Sequence, residues 1–239
     1  MTHIALFGGH GKIALLATEQ LTQAGYAVRS VIRNPEQADA IRARGAEPFV
    51  ADIEQPETDF AAILDGIDLV IWSAGAGGGN PARTKAVDLE AAKRAIDAAV
   101  KHGVRDFLNV SYKGARPDHG VEQDNPFWHY AEAKAKSDAA LRASELDWVI
   151  LAPTSLTLET GAGEVDAEIT VQDSSGFDAA LRIDSGGTPI AREDVATLIA
   201  QLVPAMVEGR VHHVTVTATG GTTPIPDVVA ATVEAVREA

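Results

Sequence analysis

Two periods of apolar and polar positions alternate up to about residue 150. Short apolar runs of strand character recur near 2–7, 26–32, 46–51, 67–74, 104–111 and 147–152, and amphipathic helical stretches fall between them near 12–24, 35–44, 57–65, 84–102 and 129–145. Strands separated in this way by helices read as successive βαβ units, which build a parallel sheet with helices on both faces. The helix over 84–102 carries an alanine-rich face (Ala86, Leu89, Ala92, Ala95, Ile96, Ala99) able to lie close on a sheet, and Gly103 reads as its C-terminal cap. Beyond Pro153 the pattern loosens. Residues 153–191 are rich in Gly, Thr, Ser and Asp, with strand-like pieces at Glu168–Gln172 and Leu181–Asp184. Helix returns at Glu193–Val207, strand at His213–Thr217 and helix at Pro226–Arg237.

The first strand runs directly into glycines, and a helix pattern begins at once: Ile4 to Ala14 reads I-A-L-F-G-G-H-G-K-I-A. Gly9, Gly11 and Ala14 fit G-x-G-x-x-G/A, and Gly8, Gly11 and Ala14 fit the wider G-x-x-G-x-x-G/A spacing. Such a turn lets the backbone approach a pyrophosphate while the free N–H groups of the new helix point at the anion. A ligand-free tight turn would use glycines too, but the βα repeats that follow favour dinucleotide binding. The expectation is an α/β chain: one NAD(P)-binding domain over 1–239, a doubly wound parallel Rossmann sheet. Its cofactor-binding core is 1–152, with a small C-terminal substrate lobe over 153–239. Gly8, Gly9, His10, Gly11, Lys12 and Ile13 would meet the cofactor.

The end of the second strand bears on which dinucleotide. NAD binders usually place an Asp or Glu there for the ribose 2′-hydroxyl. This chain has Arg33-Asn34-Pro35 instead, and a guanidinium suits a 2′-phosphate. NADP (NADPH) is therefore expected over NAD, the alternative being that Arg33 only solvates a loop. Asp52, followed by Ile53, closes the third strand where adenine could sit, or else caps the next helix. After the fourth strand, Ala74, Gly75 and Ala76 belong to a run of small residues that would let the chain come close to a cofactor.

Tyr130 and Lys134, in Y-A-E-A-K, share one helix face. An ammonium beside a phenol lowers the phenol pKa and makes it a usable acid or base. Ser111 ends the fifth strand at the same sheet edge and could hold a substrate carbonyl while Tyr130 delivers a proton. The bland alternative is an exposed helical pair. Phe127, Trp128 and His129 just before that helix could wall the site or staple the helix entry.

Composition narrows the partners. A formal net charge of −14 argues against nucleic acid or anionic membranes. No apolar run approaches the roughly 18 residues a membrane span needs. The absence of a basic n-region points to a cytoplasmic location, and there are no cysteines for disulfides. His212 and His213, adjacent in a strand-like run, should point to opposite faces, so no metal is expected. Within 153–191, the acids Glu159, Glu164, Asp166, Glu168, Asp173, Asp178 and Asp184 face only Arg182, which suggests an uncharged or cationic small-molecule substrate.

The segments G-G-H-G-K-I-A, V-I-R-N-P-E-Q, A-D-I, S-A-G-A-G-G-G, V-D-L-E-A-A, N-V-S-Y, Y-A-E-A-K and T-P-I-A-R-E-D-V-A together resemble the atypical short-chain dehydrogenase/reductase superfamily, most closely its NAD(P)H-binding, NmrA-like group. The resemblance implies Gly8, Gly11, Arg33, Asp52 and the Ala74–Gly77 turn at the cofactor, and catalytic roles for Ser111, Tyr130 and Lys134. Lys134 would also hold the nicotinamide ribose. Two departures stand out. Ala14 replaces a usual third glycine, and Ala152-Pro153-Thr154 stands where relatives often carry Arg-Pro-Gly. Pro153, Thr154, Ser155 and Leu156 would still line the pocket over the nicotinamide. The function implied is an NADP-dependent oxidoreductase of a small carbonyl compound. The alternatives are an NADP(H)-sensing regulator with a protein partner, or a sugar-nucleotide epimerase or dehydratase, for which the lobe is small.

Overall fold

The computed structural model describes residues 1–77, 79–172 and 187–239. Its strands are β1 (His3–Phe7), β2 (Ala27–Ile32), β3 (Glu47–Val50), β4 (Leu69–Trp72), β5 (Asp106–Val110), β6 (Asp147–Pro153), β7 (Leu156–Thr157), β8 (Glu164–Val171), β9 (Ile190–Ala191) and β10 (Val214–Pro224). The helices are α1 (Lys12–Gln23), α2 (Ala38–Arg42), α3 (Phe60–Leu64), α4 (Pro81–Thr84), α5 (Ala92–Lys101), α6 (Trp128–Arg142), α7 (Arg192–Val207) and α8 (Ile225–Glu238). A π-helical stretch, Lys85–Ala91, joins α4 to α5.

Eight strands form one sheet in the order β3-β2-β1-β4-β5-β6-β10-β8. All neighbours are parallel except β8, which runs antiparallel to β10. Parallel strands carry apolar side chains on both faces because helices cover both. Along β1, Ile4 and Leu6 join one core with Ile13, Ala17 and Leu21 of α1 and Val195, Ile199 and Leu202 of α7. Ala5 and Phe7 join the other, with Phe60 of α3, Ala95 and Ile96 of α5, and Trp72 and Trp148. The chain order reverses between β1 and β4. There the first crossovers leave in opposite directions and open a crevice at the C-terminal strand ends.

Most element boundaries match the sequence pattern within a few residues, and the departures have local causes. The helix expected over 57–65 starts only at Phe60, because the Thr58 hydroxyl donates to the Asp52 carbonyl at 2.5 Å and Asp59 caps the helix by accepting from the Ala62 amide at 3.1 Å. The helix expected over 84–102 starts earlier, at Pro81. Asn80 accepts there from the Arg83 amide, and Pro occupies the first turn, where its missing N–H costs nothing. Gly103 follows the last turn with φ 72°, as expected of its capping role. The late elements divide: β10 and β8 extend the sheet beyond β6, with α7 and α8 packed beside them, while β7 and β9 pair with each other. The strand piece expected at Leu181–Asp184 lies outside the described residues.

Candidate active site

A cleft of about 380 Å³ opens at the sheet reversal. It is lined by Gly8, Gly9, His10 and Gly11 after β1, Arg33 and Asn34 after β2, Asp52, Ile53 and Glu54 after β3, and Ser73, Ala74 and Gly75 after β4. Gly8 has φ 76°, and a Cβ there would stand 2.7 Å from the Ala74 Cα, so this position needs glycine both for its conformation and for the closeness of the β4 loop. Gly11 begins α1 in extended conformation without any side-chain cap, so no side chain occupies the first-turn N–H groups beside the cleft. These residues could hold a dinucleotide pyrophosphate, and their geometry fits that group.

Of the other expected cofactor residues, Ile13 faces the neighbouring chamber and Ala76 is buried, its amide donating to Asp88 Oδ2 at 3.0 Å. Lys12 is exposed and lines a separate shallow hollow with Leu158 and Glu193, so the structure does not bring it into the cleft. Asp52 does line the cleft. Its Oδ1 accepts from the Glu54 amide at 3.1 Å and its Oδ2 from Gln55 Nε2 at 2.9 Å, so it fixes the turn after β3, while the helix-capping role falls to Asp59. Arg33 is no free loop cation: its Nη1 donates to Glu54 Oε1 at 2.6 Å. Arg83, from α4, reaches the same carboxylate. Sequence reasoning missed Glu54 and Arg83, because nothing in the spacing of residues 33, 54 and 83 reveals that three crossovers meet there.

The cleft shares Ser73, Ala74 and Gly75 with a chamber of about 940 Å³ that holds Ser111, Tyr130 and Lys134. A third space of about 430 Å³ shares Ser111, Phe127, Tyr130 and Leu156 with that chamber and adds Pro153, Thr154 and Ser155. The three sequence-derived catalytic candidates therefore stand together, at the junction of all the expected pocket walls. Tyr130 packs against Tyr112 and Phe127 with ring centroids 5.4 and 5.2 Å away. Phe127 and His129 line the chamber, whereas Trp128 packs edge-on to His129.

The electrostatics differ from those the sequence suggests. Lys134 is buried and donates from Nζ to the Val110 carbonyl at 2.8 Å. Two buried carboxylates answer its charge, Asp88 and Asp138, each with its pKa raised by burial and held back by Lys134. Ser111 Oγ donates to Asp138 Oδ2 at 2.5 Å, and Asn109 Nδ2 donates to Asp138 Oδ1 at 2.6 Å. Tyr130 lies in the field of these acids, and its pKa is pushed up, first by burial and then by Asp88 and Asp138. Tyr112 is likewise raised to about 12 by burial and by Asp138. The expectation that Lys134 lowers the phenol pKa is thus corrected: its charge is spent on the two carboxylates. Asp138 and Asn109 were legible in principle. Asp138 is one helical turn after Lys134, and Asn109 is two strand positions before Ser111, so each shares its neighbour's face.

A further expectation changes. His212 and His213 do not point to opposite faces. They precede β10, and His213 takes φ 51°, the only non-glycine positive φ among the described residues, which sets the rings 5.1 Å apart. With Asp147 they bring candidate ligand atoms within 4.8 Å of one another, while Asp147 is held by Arg105 at 2.6 Å and His213 by the Leu146 carbonyl at 3.1 Å. The described lobe acids stand apart from the space beside Ser111 and Tyr130. Glu159, Glu164, Asp166 and Glu168 do not line it, whereas Lys113 and Arg192 do, and Asp166 serves β10 by accepting from Thr222 and Thr223. Asp173, Asp178, Arg182 and Asp184 lie outside the described residues. Among the described residues no helix is long and apolar enough to cross a membrane.

Residues 8–206 match the model of a family described as NAD(P)H-binding. The chain belongs to the NAD(P)H-binding family. Within it, the chain is 33% identical over 228 residues to an uncharacterized sugar epimerase, YhfK, of Bacillus subtilis, covering 94% of this chain and 97% of that one. A solved Bacillus halodurans structure, described as a candidate NAD-dependent epimerase/dehydratase, is 30% identical with a TM-score of 0.80, over 97% of this chain and all of that one (100%). A short-chain dehydrogenase/reductase of Veillonella parvula, solved in complex with NADP, shares the fold at a TM-score of 0.68 with 17% identity, covering 93% and 96% of the two chains. These likenesses agree with the atypical short-chain dehydrogenase/reductase resemblance read from the motifs. The family is one of NAD(P)H-binding proteins, and the relatives at 33% and 30% identity carry epimerase or epimerase/dehydratase descriptions.

Proposed function

We propose that this protein is an NADP-dependent reductase of a small carbonyl-type compound. The observation that carries the reading is the junction: the cofactor cleft opens through Ala74 and Gly75 onto the chamber where Ser111, Tyr130 and Lys134 converge. A bound reduced nicotinamide supplies a hydride. Everything else falls to side chains. Tyr130, raised in pKa, stays neutral at physiological pH, and a neutral phenol can donate a proton to an oxygen that is gaining charge. The phenol thus holds the proton that reduction of a carbonyl requires. Ser111 Oγ directs its own proton at Asp138, so it offers lone pairs to the chamber and meets a carbonyl oxygen as donor only when that proton turns away from Asp138. Lys134 stabilises the charge pattern that holds Ser111 and Tyr130 in place. The rings of Phe127 and Tyr130 and the side chain of Leu156 give the substrate space an apolar wall.

Arg33 at the cleft rim supports NADP over NAD, and the Arg33-Asn34-Pro35 end of β2 carries no acid to take a ribose hydroxyl. The test is consumption of NADPH with a panel of carbonyls, quinones and flavins. Tyr130→Phe should lower kcat by about 10²- to 10³-fold with NADPH affinity retained, and full activity in that variant refutes the assignment of the proton donor. NADPH binding without turnover of any panel member would instead support a cofactor-sensing role. Arg33→Ala should weaken NADPH far more than NADH, and equal losses refute the 2′-phosphate role.

A further inference from the structure

The rim of the cofactor cleft holds two guanidiniums aimed at one point, and a carboxylate sits on that point. Arg33 Nη1 lies 2.6 Å from Glu54 Oε1. Arg83 Nη2 lies 2.5 Å from the same oxygen, and Arg83 Nε lies 3.1 and 3.3 Å from Oε1 and Oε2, so Arg83 grips the carboxylate side-on. All three residues line the cleft together with Asn34 and Asp52. Each comes from a different crossover, and each is fixed locally. Arg83 follows the Asn80 cap of α4, and Glu54 sits in the turn held by Asp52.

We infer that the Arg33–Arg83 pair is a seat for a phosphate monoester dianion, and that Glu54 occupies this seat as a built-in substitute which the 2′-phosphate of NADP must displace. The inference rests on the NADP reading above and adds a second recognition residue and a competitor to it. Two guanidiniums around one oxygen match the geometry by which arginine recognises phosphate; Glu54 is the carboxylate bound to both, and Asp52 and Asp88 add a longer-range field on Arg83. A dianion would answer both guanidiniums. It cannot share the seat with Glu54, because like charges at this separation repel, so the carboxylate must swing towards water as the phosphate enters. With its side chain about 20% exposed and bound by both arginines, Glu54 leaves the seat only as the dianion takes over its two partners. While the seat is free of phosphate, Glu54 keeps both arginines extended and converging, so their side-chain order is already present when the phosphate arrives. Glu54 thus has two effects: it preorganises the seat, and it lowers affinity for whatever anion fills it.

The experiment uses adenosine 2′,5′-bisphosphate and 5′-ADP as probes, by titration calorimetry on the whole protein. These ligands differ in the 2′-phosphate and involve no turnover. Glu54→Gln keeps the size and an acceptor oxygen but loses the charge. It should tighten the bisphosphate by about tenfold and leave 5′-ADP unchanged, with Glu54→Ala moving in the same direction. Arg83→Met should weaken the bisphosphate by at least about tenfold, again sparing 5′-ADP. The inference is overturned if Glu54→Gln leaves the ratio of the two affinities unchanged, if it weakens 5′-ADP, or if Arg83→Met lowers both alike. Arg33→Ala separates the two levels of the argument. If it does not alter the ratio, the NADP reading itself fails. If it collapses the ratio while Glu54→Gln leaves it alone, only the role of Glu54 falls.

Discussion

The glycine-lined cleft and the chamber around Lys134 share a wall but are built on opposite plans. Backbone makes the cleft: a positive-φ glycine, the open first turn of α1 and the ends of adjacent parallel strands, with charged side chains kept to the rim. Buried charge makes the chamber: Asp88, Lys134 and Asp138 are each almost wholly shut from water, with Ser111 and Asn109 tied to one of them. A backbone cradle tolerates exchange of most side chains around it but not of its glycines. A buried charge cluster behaves the other way, because removing one member leaves another uncompensated.

The largest effect should come from Gly8→Ala. The new Cβ would meet the Ala74 backbone at 2.7 Å in a conformation that L-residues avoid, so NADPH binding should be lost by more than about 100-fold and the melting temperature should fall. Near-normal affinity in that variant would break the contrast at its backbone end. Next, Asp138→Asn removes one of the acids that raise Tyr130, and it disturbs the partner of Ser111. With less negative charge nearby, the phenol pKa must drop. The basic limb of the pH–rate profile should therefore move to lower pH, with kcat reduced about tenfold; a basic limb that stays in place would show that Tyr130 does not feel this cluster.

The smallest effect lies at the other end of the sheet, away from both regions. Asp106 opens β5, is buried, and has its pKa raised to about 6, mainly by desolvation, with Arg105 opposing and Asp147 and Asp68 adding to the rise. The folded protein thus holds a proton that the unfolded chain releases from about pH 4 upward. Stability contributed by this group is full below that point, falls as pH rises through the window up to about 6, and stays low above it. Asp106→Asn should accordingly stabilise the protein at neutral pH by about 1 kcal/mol, a gain that vanishes near pH 4 in denaturant titrations. No gain at neutral pH would remove the supposed cost of this buried acid.

The same contrast explains what the sequence made legible. Parallel strands and the glycine turn leave one-dimensional signals, because φ, spacing and burial on both faces are local constraints; β1, α1 and the Gly8–Gly11 turn were all readable. Ser111, Tyr130 and Lys134 were readable as positions, since strand ends and four-residue helical spacing place side chains. Their interactions were not, since whether Lys134 serves Tyr130 or the pair Asp88 and Asp138 depends on packing between α6 and the segment before α5. Likewise Glu54 and Arg83 join Arg33 only through the meeting of three crossovers, and His213 leaves strand alternation through a single backbone angle that no periodicity announces.

The π-helical stretch Lys85–Ala91 has a consequence for how this site can change. One more residue per turn than an α-helix is accommodated there, and Asp88, within that widened turn, anchors the Ala76 amide of the small-residue loop shared by the cleft and the chamber. Loss of one residue from this stretch would let it relax into ordinary α-helical register without shortening the sheet or the helices around it. Asp88 would then be carried about a quarter-turn around the axis, and the loop would lose its tether. A single-codon deletion about seventy residues after the glycine turn could thus loosen the doorway between the two compartments while the glycine signature stayed intact.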